Sequence, residues 1–171
     1  NVSSVFQINW REREFSTSTA EEFVDELRSY SMLVLKNGTW GQGKMSEMAQ
    51  IDFGEPFGKK YCTPMFMEEF RSLPASIPSL QETGFYSGGF GWKVDYIIIP
   101  AALLLVKLFP DSSRKLIGRM FTYGLKHWTR PPYGAVLRMD VRGVKDGRAA
   151  SMRMIVSHPD AYLLTAAPAA A

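Results

Sequence analysis

Two runs of apolar–polar alternation late in the chain leave little choice about its local fold. Leu137, Met139 and Val141 alternate with Arg138, Asp140 and Arg142. After Gly143-Val144-Lys145-Asp146-Gly147, Met152, Met154 and Val156 alternate with Ser151, Arg153 and Ser157. Successive side chains of a strand point to opposite faces, so each run puts its apolar residues on one side. An Asp-Gly pair between two such runs is a hairpin signal. The stretch from Pro131 to Pro168 thus predicts a long hairpin running into the start of a helix.

Further strands and turns follow from the same periodicity. Phe6, Ile8 and Trp10 alternate with polar neighbours, Met32 to Lys36 reads as a strand, and Asn37-Gly38 as a turn. Met45 to Phe53 predicts a strand, Pro56, Pro64, Pro74 and Pro78 cut the next section into short pieces, and Gln81 to Ser87 reads as extended. Ser87 to Gly91 is a glycine-rich loop. Strands joined by short turns, without regular strand–helix alternation, predict an α+β fold. Its single domain, 1–171, would have a mixed, largely antiparallel sheet and helices packed on one face.

Three helical stretches complete this reading. Ser18-Thr19-Ala20-Glu21 has the form of a capping box, with Phe23 and Leu27 four apart on the inner face of the helix that follows. A second helix is expected from Pro100 to Phe109, preceded by extended Tyr96 to Ile99, because proline is tolerated at a first helical position. Val94 to Phe109 is apolar nearly all round but shorter than the about 20 residues a membrane span needs. It is expected to be a core or dimer-interface helix, which makes a homodimer the expected assembly and a membrane-touching segment the alternative. The third helix, opened by Asp111 or Ser112, carries Ile117, Phe121, Gly124, Leu125 and Trp128 as an inner stripe and Arg114, Lys115, Arg119 and Lys126 outside.

Charge is unevenly spread. Residues 1–106 hold nine Lys and Arg against thirteen Asp and Glu, and residues 107–153 hold eleven against three. The basic half reads as a solvated helix face plus the polar side of a hairpin, or else as a surface facing a nucleotide, an acidic substrate or an anionic membrane. Nucleic acid is not expected, since zinc spacing, basic-region heptads and an aromatic RNA-binding signature are all missing. A hydrophobic content of 46% excludes a disordered chain. The single Cys62 cannot form an intrachain disulfide, so a reducing compartment, cytoplasm or organelle stroma, is expected. Residues 1–30 lack a basic start followed by an apolar run, so no signal peptide is expected within them.

Chemical motifs are sparse. Gly38-Thr39-Trp40-Gly41-Gln42-Gly43-Lys44 has phosphate-loop spacing, but Met45 stands where a magnesium-binding hydroxyl belongs, and a strand rather than a helix should follow. A glycine-rich hairpin turn is the expected structure. The two histidines, His127 and His158, lack metal-ligand spacing, so no metal is expected. His127 ends a helix and His158 is placed as a cap, while Cys62 reads as a small buried residue. No catalytic set emerges. The candidate substrate-binding residues are Tyr86, Gly88, Gly89, Arg130, Arg138 and Arg153, the glycines for close backbone approach and the arginines for a carboxylate or phosphate.

The strand, the turn "RGVKDGR", the second strand and then "HPDAYLLTAAPAAA" resemble the end of the second domain of saccharopine dehydrogenase-like oxidoreductases. "KNGTW" and the run "IDFGEPFGKKYCTPMFMEEFRSLPASIPSLQETGFYSGG" are similar to the same domain, so the resemblance covers about Met32 to Ala167. It implies a substrate-binding and dimerisation domain, inactive alone, whose partner is a Rossmann domain of the same polypeptide carrying NAD(P). The Gly-x-Gly-x-x-Gly fingerprint of such a domain is not in these residues, so no cofactor is expected to bind this chain by itself. The substrate stays unknown. The alternative is a membrane- or lipid-associated module using residues 94–109 and the basic helix 112–128.

Overall fold

A computed structural model of the chain describes residues 1–12, 17–44, 47–110, 112–160 and 163–164. The fold is α+β. It forms two compact units, a β unit of Asn1–Val5, Ser31–Gly88 and Gly134–Ala171, and a helical unit of Phe6–Tyr30 and Gly89–Tyr133.

The β unit is built on a mixed six-stranded sheet. Its strands are β1 (Val2–Gln7), β4 (Ala49–Asp52), β5 (Lys59–Met65), β6 (Phe85–Gly88), β7 (Gly134–Lys145) and β8 (Arg148–His158), in the order β4-β5-β6-β1-β7-β8. β1 runs parallel to β6, whereas β4·β5, β5·β6 and β7·β8 are antiparallel. Between β1 and β4 lies a hairpin of β2 (Leu33–Lys36) and β3 (Thr39–Gln42), tied to the chain before β6 by a Leu35–Thr83 bridge. A short helix α2 (Leu73–Ser76) lies between β5 and β6.

Both expected hairpin turns form, and both are two residues long. Asn37 and Gly38 have φ of 50° and 74°, Asp146 and Gly147 have 53° and 73°, the doubly left-handed pattern that matches the twist of paired strands. The Gly38–Lys44 run is therefore a hairpin, not a phosphate loop. In the terminal hairpin the expected five-residue connection Gly143–Gly147 shrinks to Asp146-Gly147, because one type I′ turn suffices and the ladder continues to the Lys145–Arg148 pair. Leu137, Met139 and Val141 stand opposite Val156, Met154 and Met152, so the two alternating runs share one apolar face.

The sheet curls. Arg138, on β7, donates from Nη1 to the Asp52 carbonyl at the end of β4, although three strands separate β4 from β7 in the sheet. Val5, Phe53, Phe57, Cys62 and Val136 are buried together, with Ile51 and Tyr86 packed against them. Gly88 permits this closeness, since a Cβ there would stand 2.6 Å from the Tyr61 carbonyl oxygen.

In the helical unit, α1 (Thr17–Arg28), α3 (Ile99–Leu108) and α4 (Arg114–Trp128) bury Trp10, Val24, Leu27, Val94, Ile98, Ala102, Ile117, Phe121 and Leu125. The predicted inner stripe of α4 is buried as far as Leu125, with Trp128 half-buried. Burying each large apolar side chain contributes about 1.5–3 kcal/mol. α1 starts at Thr17, and the side chains of Ser18, Glu21 and Phe23, the expected cap and inner-face residues, lie outside the described residues. Met45, at the start of the expected 45–53 strand, is also outside them, and the strand formed is the shorter Ala49–Asp52.

Several expectations are overturned. β1 ends at Gln7, so Ile8 and Trp10 of the expected first strand lie beyond it, and Ser87 and Gly88, expected in a loop, end β6, which starts only at Phe85. Tyr96 to Ile99 is not extended: a π-helical turn, Val94–Ile98, leads directly into α3. Pro100 removes an N–H and crowds the carbonyl of the preceding turn. The wider turn, in which the Ile99 amide reaches the Val94 carbonyl, carries the helix past it without a break.

Candidate functional site

Register gathers four of the six candidate residues on one face of the β unit. Ser3 pairs with Tyr86 and Val5 with Gly88, and residues directly paired across strands share a face. That face is the inner one, because Val5 and Val136 belong to the buried cluster. Arg138 and Asp140 follow Val136 at two-residue steps on β7, and Arg153 stands opposite Asp140 on β8. The Ser3 hydroxyl lies between the two ends of this row, donating to the Arg138 carbonyl. Tyr86, Gly88, Arg138 and Arg153 thus share the concave face. Gly89 and Arg130 belong to the helical unit, where Gly89 takes φ 107° and the exposed Arg130 offers its carbonyl to Gln7 Nε2.

The charges on the concave face are largely committed to one another. Arg138 Nε is 2.6 Å from Asp140 Oδ2, and Arg153 Nε is 2.6 Å from Asp140 Oδ1. Burial raises the Asp140 carboxyl, but hydrogen bonds from Arg138 and Arg153 outweigh it and hold the group below its ordinary value. Arg138 is 12% exposed and also serves the Asp52 carbonyl, whereas Arg153 is 54% exposed and keeps donors open to solvent. Partial burial pushes the Tyr86 phenol up; Lys36 opposes this, and Glu47 and Glu82 reinforce it. Lys36 and Glu47 form an exposed ion pair at 2.5 Å.

The chemistry of this arrangement suits orienting a small anion better than moving protons. Tyr86 stays protonated at neutral pH, Asp140 stays ionised, and Arg153 keeps donors open to solvent. Cys62 is fully buried, and neither histidine lies in the row. His158 accepts the Asp160 amide at Nδ1, 2.9 Å, the local cap its position suggested. His127 is exposed at the end of α4, its ring 4.5 Å from that of Tyr123. Among the described residues no group of His, Cys, Asp and Glu is placed to hold a metal ion.

The helical unit carries a second candidate surface. Trp92, Tyr96, Pro100, Leu104 and Leu108 recur every four residues along the helix spanning 92–108, and all are exposed, as are Ile97 and Phe109 beside them. Leu104 is 57% exposed, while Leu105 is half-buried against the core. The outer side of α4 shows Lys115, Leu116, Arg119, Tyr123 and Lys126. Lys93 Nζ sits 5.6 Å from the Trp92 ring centre and 5.2 Å from that of Trp128. The 92–108 stripe was legible as an apolar run; that it faces outward was not, since periodicity fails where every side is apolar. Among the described residues no helix is long and apolar enough to cross a membrane.

No family model matches the chain, and no curated protein matches it.

Proposed function

We propose that the helical unit is a docking element that seats the protein on an anionic lipid surface. The observation that carries this is the exposed apolar stripe from Trp92 to Phe109 in a segment, residues 89–133, holding seven Lys and Arg against two Asp and Glu. Aromatic and leucine side chains enter the interface of a bilayer, and lysine and arginine stems lie along it with their heads among the phosphates. A second copy is the other occupant the stripe suits, but a twofold contact there would bring each copy's cations toward their own kind. Co-sedimentation with phosphatidylcholine vesicles, with and without phosphatidylserine, tests this. Binding should require the anionic lipid, weaken as salt rises, and fall in the double variant Lys115→Glu with Arg119→Glu and in Leu104→Arg. Failure to bind anionic vesicles at low salt overturns it.

A second reading concerns the β unit: the substrate-binding and dimerisation domain of a saccharopine dehydrogenase-like, nicotinamide-dependent oxidoreductase. What supports it is the sequence resemblance, together with the row of Tyr86, Ser3, Arg138 and Arg153, which suits orienting an anionic substrate. The residues of this chain do not fit a dinucleotide, because no Gly-x-Gly-x-x-Gly loop opens a helix. The cofactor belongs to the Rossmann domain the resemblance implies, and hydride chemistry would be the cofactor's. The chain alone should show no turnover and no NADPH binding at micromolar concentration; saturable fluorescence enhancement of NADPH would refute this division of labour.

A further inference from the structure

We infer that β8 is the seam of a twofold dimer, in which the β8 strands of two copies pair antiparallel about Met154 and join two sheets into one. This surface is independent of the lipid-docking stripe, since it lies on the β unit.

β8 is the last strand of the sheet, and among the described residues no other strand pairs with its outer side. Its eleven-residue ladder with β7 runs without a bulge from Ala135–His158 to Lys145–Arg148. Residues 148–157 are all exposed. Natural edges of this length are guarded by lysine, proline, a bulge or a covering loop. β8 has neither lysine nor proline, and its exposed residues include Met152, Met154, Ile155 and Val156. The charges on the strand are Arg148 at its end and Arg153, already paired with Asp140.

The outward-facing backbone groups can be assigned. The Asp140 amide donates to the Asn1 carbonyl, away from β8, so the opposed Asp140–Arg153 pair is of the non-hydrogen-bonded kind in the β7·β8 ladder. The N–H and C=O groups of Ala149, Ser151, Arg153, Ile155 and Ser157 therefore point outward. A twofold axis at Met154 sets Ser151 against Ser157 and Arg153 against Ile155 of the other copy, forming about eight backbone hydrogen bonds. On the apolar face, Met154 meets Met154 and Met152 meets Val156. No like charges stand opposite each other. The two Arg153 side chains are diagonal neighbours across the seam, each already paired with Asp140 of its own copy, so the strand complements itself in polarity and hydrogen bonding, which selects a second copy as its occupant.

Light scattering and chemical cross-linking of the chain test this. The wild type should be a dimer at tens of micromolar. Ile155→Pro removes an outward amide that the β7·β8 ladder does not use, and should give a folded monomer; Met154→Lys sets two ammonium groups face to face and should do the same. Met154→Cys should oxidise to a covalent dimer, because a non-hydrogen-bonded cross-strand pair lies within disulfide reach. Met152→Cys should not, its two copies lying roughly 13 Å apart along the strands. The fully buried Cys62 leaves both outcomes unchanged. A wild-type monomer, equal cross-linking at the two positions, or a dimer that Leu104→Arg dissolves while Ile155→Pro and Met154→Lys do not, would overturn the seam.

Discussion

Replacing Gly88 by alanine tests whether that glycine serves packing or ligand approach. An added Cβ would lie 2.6 Å from the Tyr61 carbonyl oxygen and 3.4 Å from Cys62 Sγ. The first contact is with backbone, so no side-chain rotation relieves it. β5 must move, and Tyr61 is held in register with Gln50 of β4. Overpacking of this kind costs about 1–3 kcal/mol, and alanine's advantage over glycine within a strand returns about 0.5–1 kcal/mol. Taking the middle of both ranges, the net loss is about 1–1.5 kcal/mol. With a urea slope of roughly 2 kcal/mol/M, the unfolding midpoint should fall by about 0.5–0.75 M. Gly143 is the control: it sits on β7 of the same six-stranded sheet with nothing within 4 Å of its would-be Cβ, so Gly143→Ala should leave the midpoint unchanged or raise it. A Gly88→Ala chain as stable as wild type would refute the packing argument and return Gly88 to the list of residues a ligand approaches.

Phe121 is 1% exposed in the helical core, with its ring 6.1 Å from that of Phe90, so Phe121→Ala should cost about 3–5 kcal/mol in urea unfolding. A loss below about 1 kcal/mol would mean that the helical unit is not packed as described. Asp140 gives a pH prediction: its carboxyl is held below its ordinary value, so its stabilisation is complete above the unfolded-state pKa near about 3.9 and is lost as pH falls through the lower folded value. Asp140→Asn should therefore lower the melting temperature at pH 7, leaving the mostly buried Arg138 without its carboxylate, and flatten the acid limb of a melting-temperature profile below about pH 4. Parallel acid limbs for the two proteins would refute this.

What the sequence disclosed was local. The type I′ turns at Asn37-Gly38 and Asp146-Gly147 and the apolar ladder of Met152, Met154 and Val156 depend on neighbours a few residues apart. The inner stripe of α4 likewise needs only its own periodicity. Tyr96 to Ile99 was misjudged because a proline rule for helix starts ignores the π turn that lets a helix pass through Pro100. The parallel pairing of Val2–Val5 with Phe85–Gly88 carried no local signal at all. Half of the candidate site was hidden for the same reason: Tyr86 and Arg138 were singled out separately, but only the placement of Ser3 between their strands makes them a row. Asp140 reads in sequence only as a polar position of the β7 alternation; its pairing with Arg138 beside it and Arg153 across the hairpin emerges from the register.

The central place of β1 in the sheet has a consequence for biosynthesis. Ser4 meets Ser87 across 83 residues of chain, and Ser3 meets Arg138 across 135. During translation β1 leaves the ribosome well before either neighbouring strand exists, so Val5 and its flanking backbone wait unsatisfied while β6 and then β7 are made. The β7·β8 hairpin, closed by a two-residue turn, can form as soon as it emerges. β1 is thus made before both of its neighbours yet is among the last of these strands to be placed, and a nascent chain stalled before Gly134 would present an unpaired strand edge to whatever chaperone or aggregate reaches it first.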